Sequence, residues 1–134
     1  MKNFDSRPKA FKISKIIKEN DSTNTYIFNG SLDGKPGQFV MFWIPGVDEK
    51  PFSIAFDDGK EFWITICNVG GVTAELFKLK EGDKVGIRGS FGTFYKFKKG
   101  EHLVLAAGGY GIAPMYFAVK EKKKTGCTDL LRTR

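Results

Sequence analysis

The chain has 134 residues, enough for one domain with a real core and marginal for two. At 41% hydrophobic and 28% charged residues it is too apolar for intrinsic disorder. Twenty-two Lys and Arg against 15 acidic residues leave a net charge of +7, which suits a phosphate-bearing or otherwise anionic partner without saying which.

The opening stretch MKNFDSRPKAFKISKI has no apolar core of signal-peptide length, and no segment reaches the roughly 18 apolar residues of a membrane span. A cytoplasmic protein with no membrane partner is expected. From Ala10 the chain reads as short β segments with turn residues between them: Ala10 to Lys18, Asn24 to Phe28, Gln38 to Ile44, Phe52 to Phe56, Phe62 to Asn68 and Lys84 to Arg88. Six strands at this spacing predict a small antiparallel barrel or sandwich. QFVMFWI is apolar on both faces and should be central, whereas EFWITIC sets Thr65 and Cys67 opposite Phe62, Ile64 and Ile66. One helix interrupts the series, VTAELFKLKEG, with Leu76 and Leu79 three apart and Gly82 as its C-cap.

The pattern changes at Glu101. HLVLAAGG is a continuous apolar run of the kind found in a buried parallel strand. APMYFAVKEKKK after it places Met115, Ala118 and Val119 on one helical face. Strand, glycine loop and helix open an α/β unit that cannot cover both faces of a sheet alone, so the expected organisation is a β domain over 1–99 and the start of an incomplete nucleotide-binding domain over 100–134.

Three stretches carry candidate chemistry. In KPFSIAF, Lys50 offers a charge to a phosphate, Phe52 a flat face to a ring system and Ser53 a polar atom to that ring's edge. Pro51 lacks an N–H and belongs at a strand's start or edge, and the whole stretch also reads as an edge strand with a surface lysine. In VGGVTAEL, Gly70 and Gly71 let the backbone approach a ligand. Thr73 stands at a helix start, where it serves as an N-cap, as an anion contact or as both. In AAGGYGIAPMY, Gly108, Gly109, Tyr110 and Gly111 follow a strand and open a helix, with Pro114 where a third fingerprint glycine would stand and suited to a first helical position. A structural glycine turn is the competing reading there. Cys67 and Cys127 lack the clustering that zinc or an iron–sulfur cluster needs and are expected as free thiols; no metal site is expected.

These motifs in this order, KPFSI, GGVTAEL, LKEGDKVGIRGSFGTF and LAAGGYGIAPMY, resemble the ferredoxin reductase superfamily, in particular the electron-transfer subunits of dihydroorotate dehydrogenase complexes, from about Arg7 to Lys124. The resemblance implies a mainly β fold: a six-stranded antiparallel FAD-binding barrel followed by the first strand, loop and helix of a Rossmann-like NAD(P)-binding domain. It implies electron transfer from NAD(P)H through FAD to an iron–sulfur centre or a partner dehydrogenase subunit, with no acid, base or nucleophile in this chain; His102 is then a surface residue. By the same resemblance Lys50 stands where the family carries an arginine toward the FAD pyrophosphate. Pro51, Phe52 and Ser53 line the isoalloxazine, Thr65, Ile66 and Cys67 flank the ribityl and adenosine portion, and Gly71, Val72 and Thr73 cap the pyrophosphate. Gly108, Gly109, Tyr110, Gly111 and Pro114 seat the pyridine nucleotide. Ser90 departs from the family's GPxG turn. The remainder of the nucleotide domain and the family's iron–sulfur ligands are not encoded, so a truncated chain is expected. The alternatives are a basic oligonucleotide-binding barrel and an FAD-binding fragment without activity of its own.

Overall fold

The computed structural model describes residues 7–108 and 111–124. Six strands, β1 (Lys9–Asn20), β2 (Thr23–Asn29), β3 (Phe39–Ile44), β4 (Asp48–Asp57), β5 (Glu61–Cys67) and β6 (Lys84–Phe91), close into an antiparallel barrel in the order β1-β2-β5-β4-β3-β6. Helix α1 (Val72–Leu76) lies between β5 and β6, and α2 (Ile112–Lys123) follows the barrel.

Alternation builds the interior. Phe62, Ile64 and Ile66 of β5 have no exposed surface, and neither do Phe28 of β2 and Val40 and Phe42 of β3. Phe28 stacks on Phe62 with ring centroids 5.0 Å apart and meets Phe42 edge-on at 6.0 Å. The interior is therefore an aromatic core, the use to which this barrel puts its many phenylalanines. The apolar outer face of β3 is only half covered, because Trp43 lies 39% exposed across β6. Gly86 makes room for it, since a Cβ there would stand 2.5 Å from Trp43 Cε3.

α1 is shorter than its sequence pattern. After the bond from Phe77 N–H to the Thr73 carbonyl, Lys78 and Leu79 donate only three residues back, and the helix tightens into a turn. Gly82 does not cap it; the Gly82 N–H donates to the Ile13 carbonyl at 2.8 Å, in the turn that leads into β6. Val72, Leu76, Phe77 and Leu79 all pack on the barrel core, and the Tyr26 hydroxyl donates to the Leu76 carbonyl at 3.0 Å. Packing of these apolar side chains across one barrel mouth, more than helix propensity, decides the path.

Residues 102–108 correct another expectation: they have no regular secondary structure, and Val104 is 90% exposed. No strand outside the barrel is available among the described residues, and the apolar run pairs with none of the barrel strands. His102, on the same segment, is exposed. α2 forms where its pattern places it and packs on β4, but its buried stripe is Phe117, Ala118 and Lys122, with Met115 and Val119 only half covered. Phe117 meets Phe56 at 6.1 Å, and Lys122 Nζ donates to the Lys98 carbonyl at 2.7 Å. The helix begins at Ile112, so Pro114 is its third residue and not its first, still within the turn where an N–H has no intrahelical acceptor.

Candidate functional site

The barrel wall splits at one end. β4 and β5 pair from Ile54↔Ile64 to Asp57↔Phe62. Before Ile54, β4 has only β3 beside it, and after Ile64, β5 has only β2. The strands diverge there, with Lys50–Ser53 on one lip and Thr65–Cys67 on the other. Helix α1 starts just past the second lip and packs back against β4. This explains Pro51: it sits inside a ten-residue strand, but on a stretch that has lost one neighbour.

Strand parity decides what each lip residue presents. Phe52 is paired with the buried Val40, is half-buried and touches Phe42 edge-on at 6.1 Å, so its ring turns into the barrel mouth instead of standing free as a platform. Pro51 and Ser53 are exposed. Lys50 emerges at the mouth, its ammonium 3.7 Å from Asp48 Oδ2 and half exposed. On the other lip Ile66 has no exposed surface, whereas Thr65 and Cys67 are half-buried and Cys67 is a free thiol. Cys127 lies outside the described residues.

The loop from Asn68 to Thr73 joins the second lip to α1. Gly70 and Gly71 hold φ of 89° and 57°, and a Cβ on either would meet no atom within 4 Å. Two side chains fold it: Asn68 Oδ1 accepts from Gly70 N–H at 3.1 Å, and Thr73 Oγ1 accepts from Val69 N–H at 2.9 Å while donating to the Gly70 carbonyl at 2.7 Å. The N-cap is Gly71, with no side-chain cap bond. Thr73 is therefore neither a helix cap nor a free hydroxyl; it shapes the loop over which the glycines are bare. Asn68 was not among the expected site residues, although an Asn two residues before Gly70 is a turn signal that points to it.

Thr65 also faces a second space, a cleft of about 450 Å3 between the outside of β2 and β5 and the start of α2. Trp63 and Ala55 line it from the barrel, and Ile112, Ala113 and Tyr116 from the helix. Trp63 and Tyr116 are stacked, 5.8 Å apart and 8° from parallel. Gly111 and Pro114 flank the helix residues that wall this cleft. Gly108 is exposed, and Gly109 and Tyr110 lie outside the described residues. Glu19 and Thr25, which sequence reasoning did not mark, reach Thr65 through hydroxyls: Thr25 Oγ1 is 2.7 Å from Glu19 Oε1 and 2.8 Å from Thr65 Oγ1. The β1–β2 hairpin sets Glu19 near Thr25, and the pairing of β2 with the distant β5 sets Thr65 opposite Thr25. A further cleft of about 540 Å3, between the 31–36 loop and the end of α2, holds none of the expected residues. Among the described residues no cluster of His, Cys, Asp or Glu is suited to a metal ion, and no helix is long and apolar enough to cross a membrane. Lys18, Lys50, Lys78 and Lys124 each stand beside an acid.

No protein-family model matches the chain. Over 120 residues it is 41% identical to a probable dihydroorotate dehydrogenase B (NAD(+)) electron transfer subunit of Methanocaldococcus jannaschii, which covers 90% of this chain and 45% of the relative. A protein of the same description from Thermococcus kodakarensis is 48% identical over 98 residues, 72% of this chain and 40% of the relative. The chain spans less than half the length of these relatives. Among solved structures, an NADH-dependent reduced ferredoxin-NADP oxidoreductase superposes with a TM-score of 0.79 at 27% identity, over 87% of this chain and 45% of that one. Phthalate dioxygenase reductase superposes with a TM-score of 0.77 at 20% identity, over 89% of this chain and 40% of that one. The fold is that of the FAD-binding, ferredoxin reductase-like domains.

Proposed function

We infer that this chain, a homologue of dihydroorotate dehydrogenase B electron transfer subunits with a ferredoxin reductase-like fold, holds FAD at the split in its barrel wall and serves electron transfer from NAD(P)H toward an iron–sulfur centre or a catalytic dehydrogenase subunit. The observation that carries this reading is the split itself, flanked by two positive-φ glycines with open space above them. A dinucleotide needs an uncovered stretch of backbone beside a cation and an apolar wall, and those are the groups at hand.

Lys50 supplies charge to the pyrophosphate from the mouth of the barrel, and the backbone of Gly71, Val72 and Thr73 supplies N–H groups at the start of α1. Ser53 and Pro51 on one lip and Thr65 and Cys67 on the other border the flavin and its ribityl chain. The half-buried Phe52 floors the opening, and the buried Ile66 backs the second lip from inside the barrel. FAD held there would supply hydride acceptance and one-electron release, and the part of this chain would be to orient it and set its electrostatic surroundings. In this reading residues 1–99 are the flavin domain, and 100–134 begin a nucleotide domain in which Gly108 to Pro114 seat the pyridine nucleotide.

The test is a titration of the purified 134-residue chain with FAD, followed by gel filtration and a visible spectrum. The expected result is a flavin spectrum that travels with the protein and a Kd in the micromolar range, about 8 kcal/mol of binding. Colourless protein after incubation with excess FAD would sink the reading.

A further inference from the structure

Before Ile54, β4 has a neighbour on one side only, and a strand paired along one edge has less to fix its twist and position than one paired along two. Glu49 stands on this stretch, and its carboxylate reaches past β3 to Arg88 of β6. Arg88 Nε donates to Glu49 Oε1, and Arg88 Nη2 donates to Glu49 Oε2 at 3.0 Å. β3 runs between them, with Met41 opposite both Arg88 and Pro51, and Trp43 opposite both Gly86 and Glu49. Two inter-strand spacings come to roughly 10 Å, a span that two long side chains can bridge.

This pair is unlike the mobile ones elsewhere on the surface. The Arg88 and Glu49 side chains are 29% and 25% exposed, against 70% and 43% for Lys78 and Glu75. The guanidinium also lies 5.5 Å from the centre of the Phe91 ring, which itself leans on Phe39 at 5.7 Å. A forked, partly desolvated pair held in one geometry is the kind that fixes a backbone. The residue after Glu49 is Lys50, whose ammonium stands 3.7 Å from Asp48 Oδ2. With its charge committed to Arg88, Glu49 does not compete with a ligand for that ammonium. We propose that Glu49 and Arg88 are positioning residues: their ion pair, laid across β3, stands in for the neighbour that β4 has lost and holds Lys50 where it meets the phosphates of a dinucleotide. This deepens the flavin reading and rests on it.

The experiment measures Kd by fluorescence titration for FAD and for riboflavin, which has the same ring and no phosphate, with thermal melts alongside. The proteins are wild type, Glu49→Gln, Arg88→Met, the exchange of Glu49→Arg with Arg88→Glu, Lys50→Ala, and Lys50→Ala combined with Glu49→Gln. Each single change to the pair should weaken FAD about fivefold and leave riboflavin within about twofold of wild type, because the effect passes through a phosphate contact. The exchange should return FAD affinity to within about twofold of wild type, which shows that a folded barrel carries the difference. On the Lys50→Ala background, Glu49→Gln should change FAD affinity by no more than about twofold, whereas a merely structural pair would give its full loss again. Unchanged FAD affinity in both Glu49→Gln and Arg88→Met, an equal loss for riboflavin, or the full loss repeated on Lys50→Ala would overturn the proposal and leave the flavin reading standing. Wild type that binds no FAD would overturn both.

Discussion

The proton of the Thr73 hydroxyl goes to the Gly70 carbonyl, and the oxygen accepts from Val69 N–H. With both capacities used inside the loop, Thr73 acts on a ligand by holding the backbone that faces it. Thr73→Val should therefore lower stability by about 1–2 kcal/mol and weaken FAD binding with it, while Thr73→Ser keeps both. Paired thermal melts and FAD titrations check this, and wild-type affinity in the valine variant would free the loop from any dependence on that hydroxyl. Lys50 differs, because its ammonium is half exposed and stands 3.7 Å from Asp48 Oδ2. Such an exposed pair contributes little to stability, so Lys50→Arg should leave the melting temperature unchanged. It should leave FAD affinity unchanged or raise it, since a guanidinium adds a second donor toward phosphate. A clear loss of affinity would place Lys50 away from the pyrophosphate.

At the scale of elements, α1 is a plug. Five residues are too few for a helix to stand alone, and this one is held by the buried Leu76, its apolar neighbours and the bond from the Tyr26 hydroxyl to the Leu76 carbonyl. Tyr26→Phe leaves that carbonyl without its donor and should cost about 1–2 kcal/mol, with hydrogen exchange rising first in 72–79. Burial holds the Tyr26 phenol above its ordinary value, against a smaller opposing effect of its bond with Asn24. The folded state therefore favours the neutral phenol. That contribution is intact below the ordinary value of 10.0 and is lost as pH rises through the folded value. The alkaline fall in melting temperature should accordingly be shallower in Tyr26→Phe, and an identical slope would argue against the buried bond. β5 is the opposite case, an element whose alternation of Phe62, Ile64 and Ile66 with Trp63, Thr65 and Cys67 states its own inside and outside.

For the whole molecule, the closed barrel and the segment after it differ in kind. The lips of the proposed flavin site are built from strands that close on one another, whereas the run leading to the proposed pyridine-nucleotide seat is exposed from His102 to Val104 and unpaired among the described residues. A helix N-terminus alone contributes about 1–2 kcal/mol toward an anion, against about 8 kcal/mol for micromolar binding. Flavin bound to the 134-residue chain should thus be bleached by dithionite and only slowly by micromolar NADH or NADPH in anaerobic stopped flow. Rapid bleaching would mean that the chain forms a complete nucleotide site. By itself the sequence determined the six strands, because period-two burial and glycine turns are local properties written in adjacent residues; these left barrel or sandwich open, and the barrel was implied by the resemblance of the motifs taken together. Tertiary structure alone decided that α1 stops at Leu76, that Phe52 turns inward, that Thr73 serves its own loop, and that Glu19, Thr25 and Thr65 share one hydrogen-bonded chain. Each of these depends on which segments pack side by side; β1 and β2 form a local hairpin, but the pairing of β2 with the distant β5 leaves no mark in any local pattern.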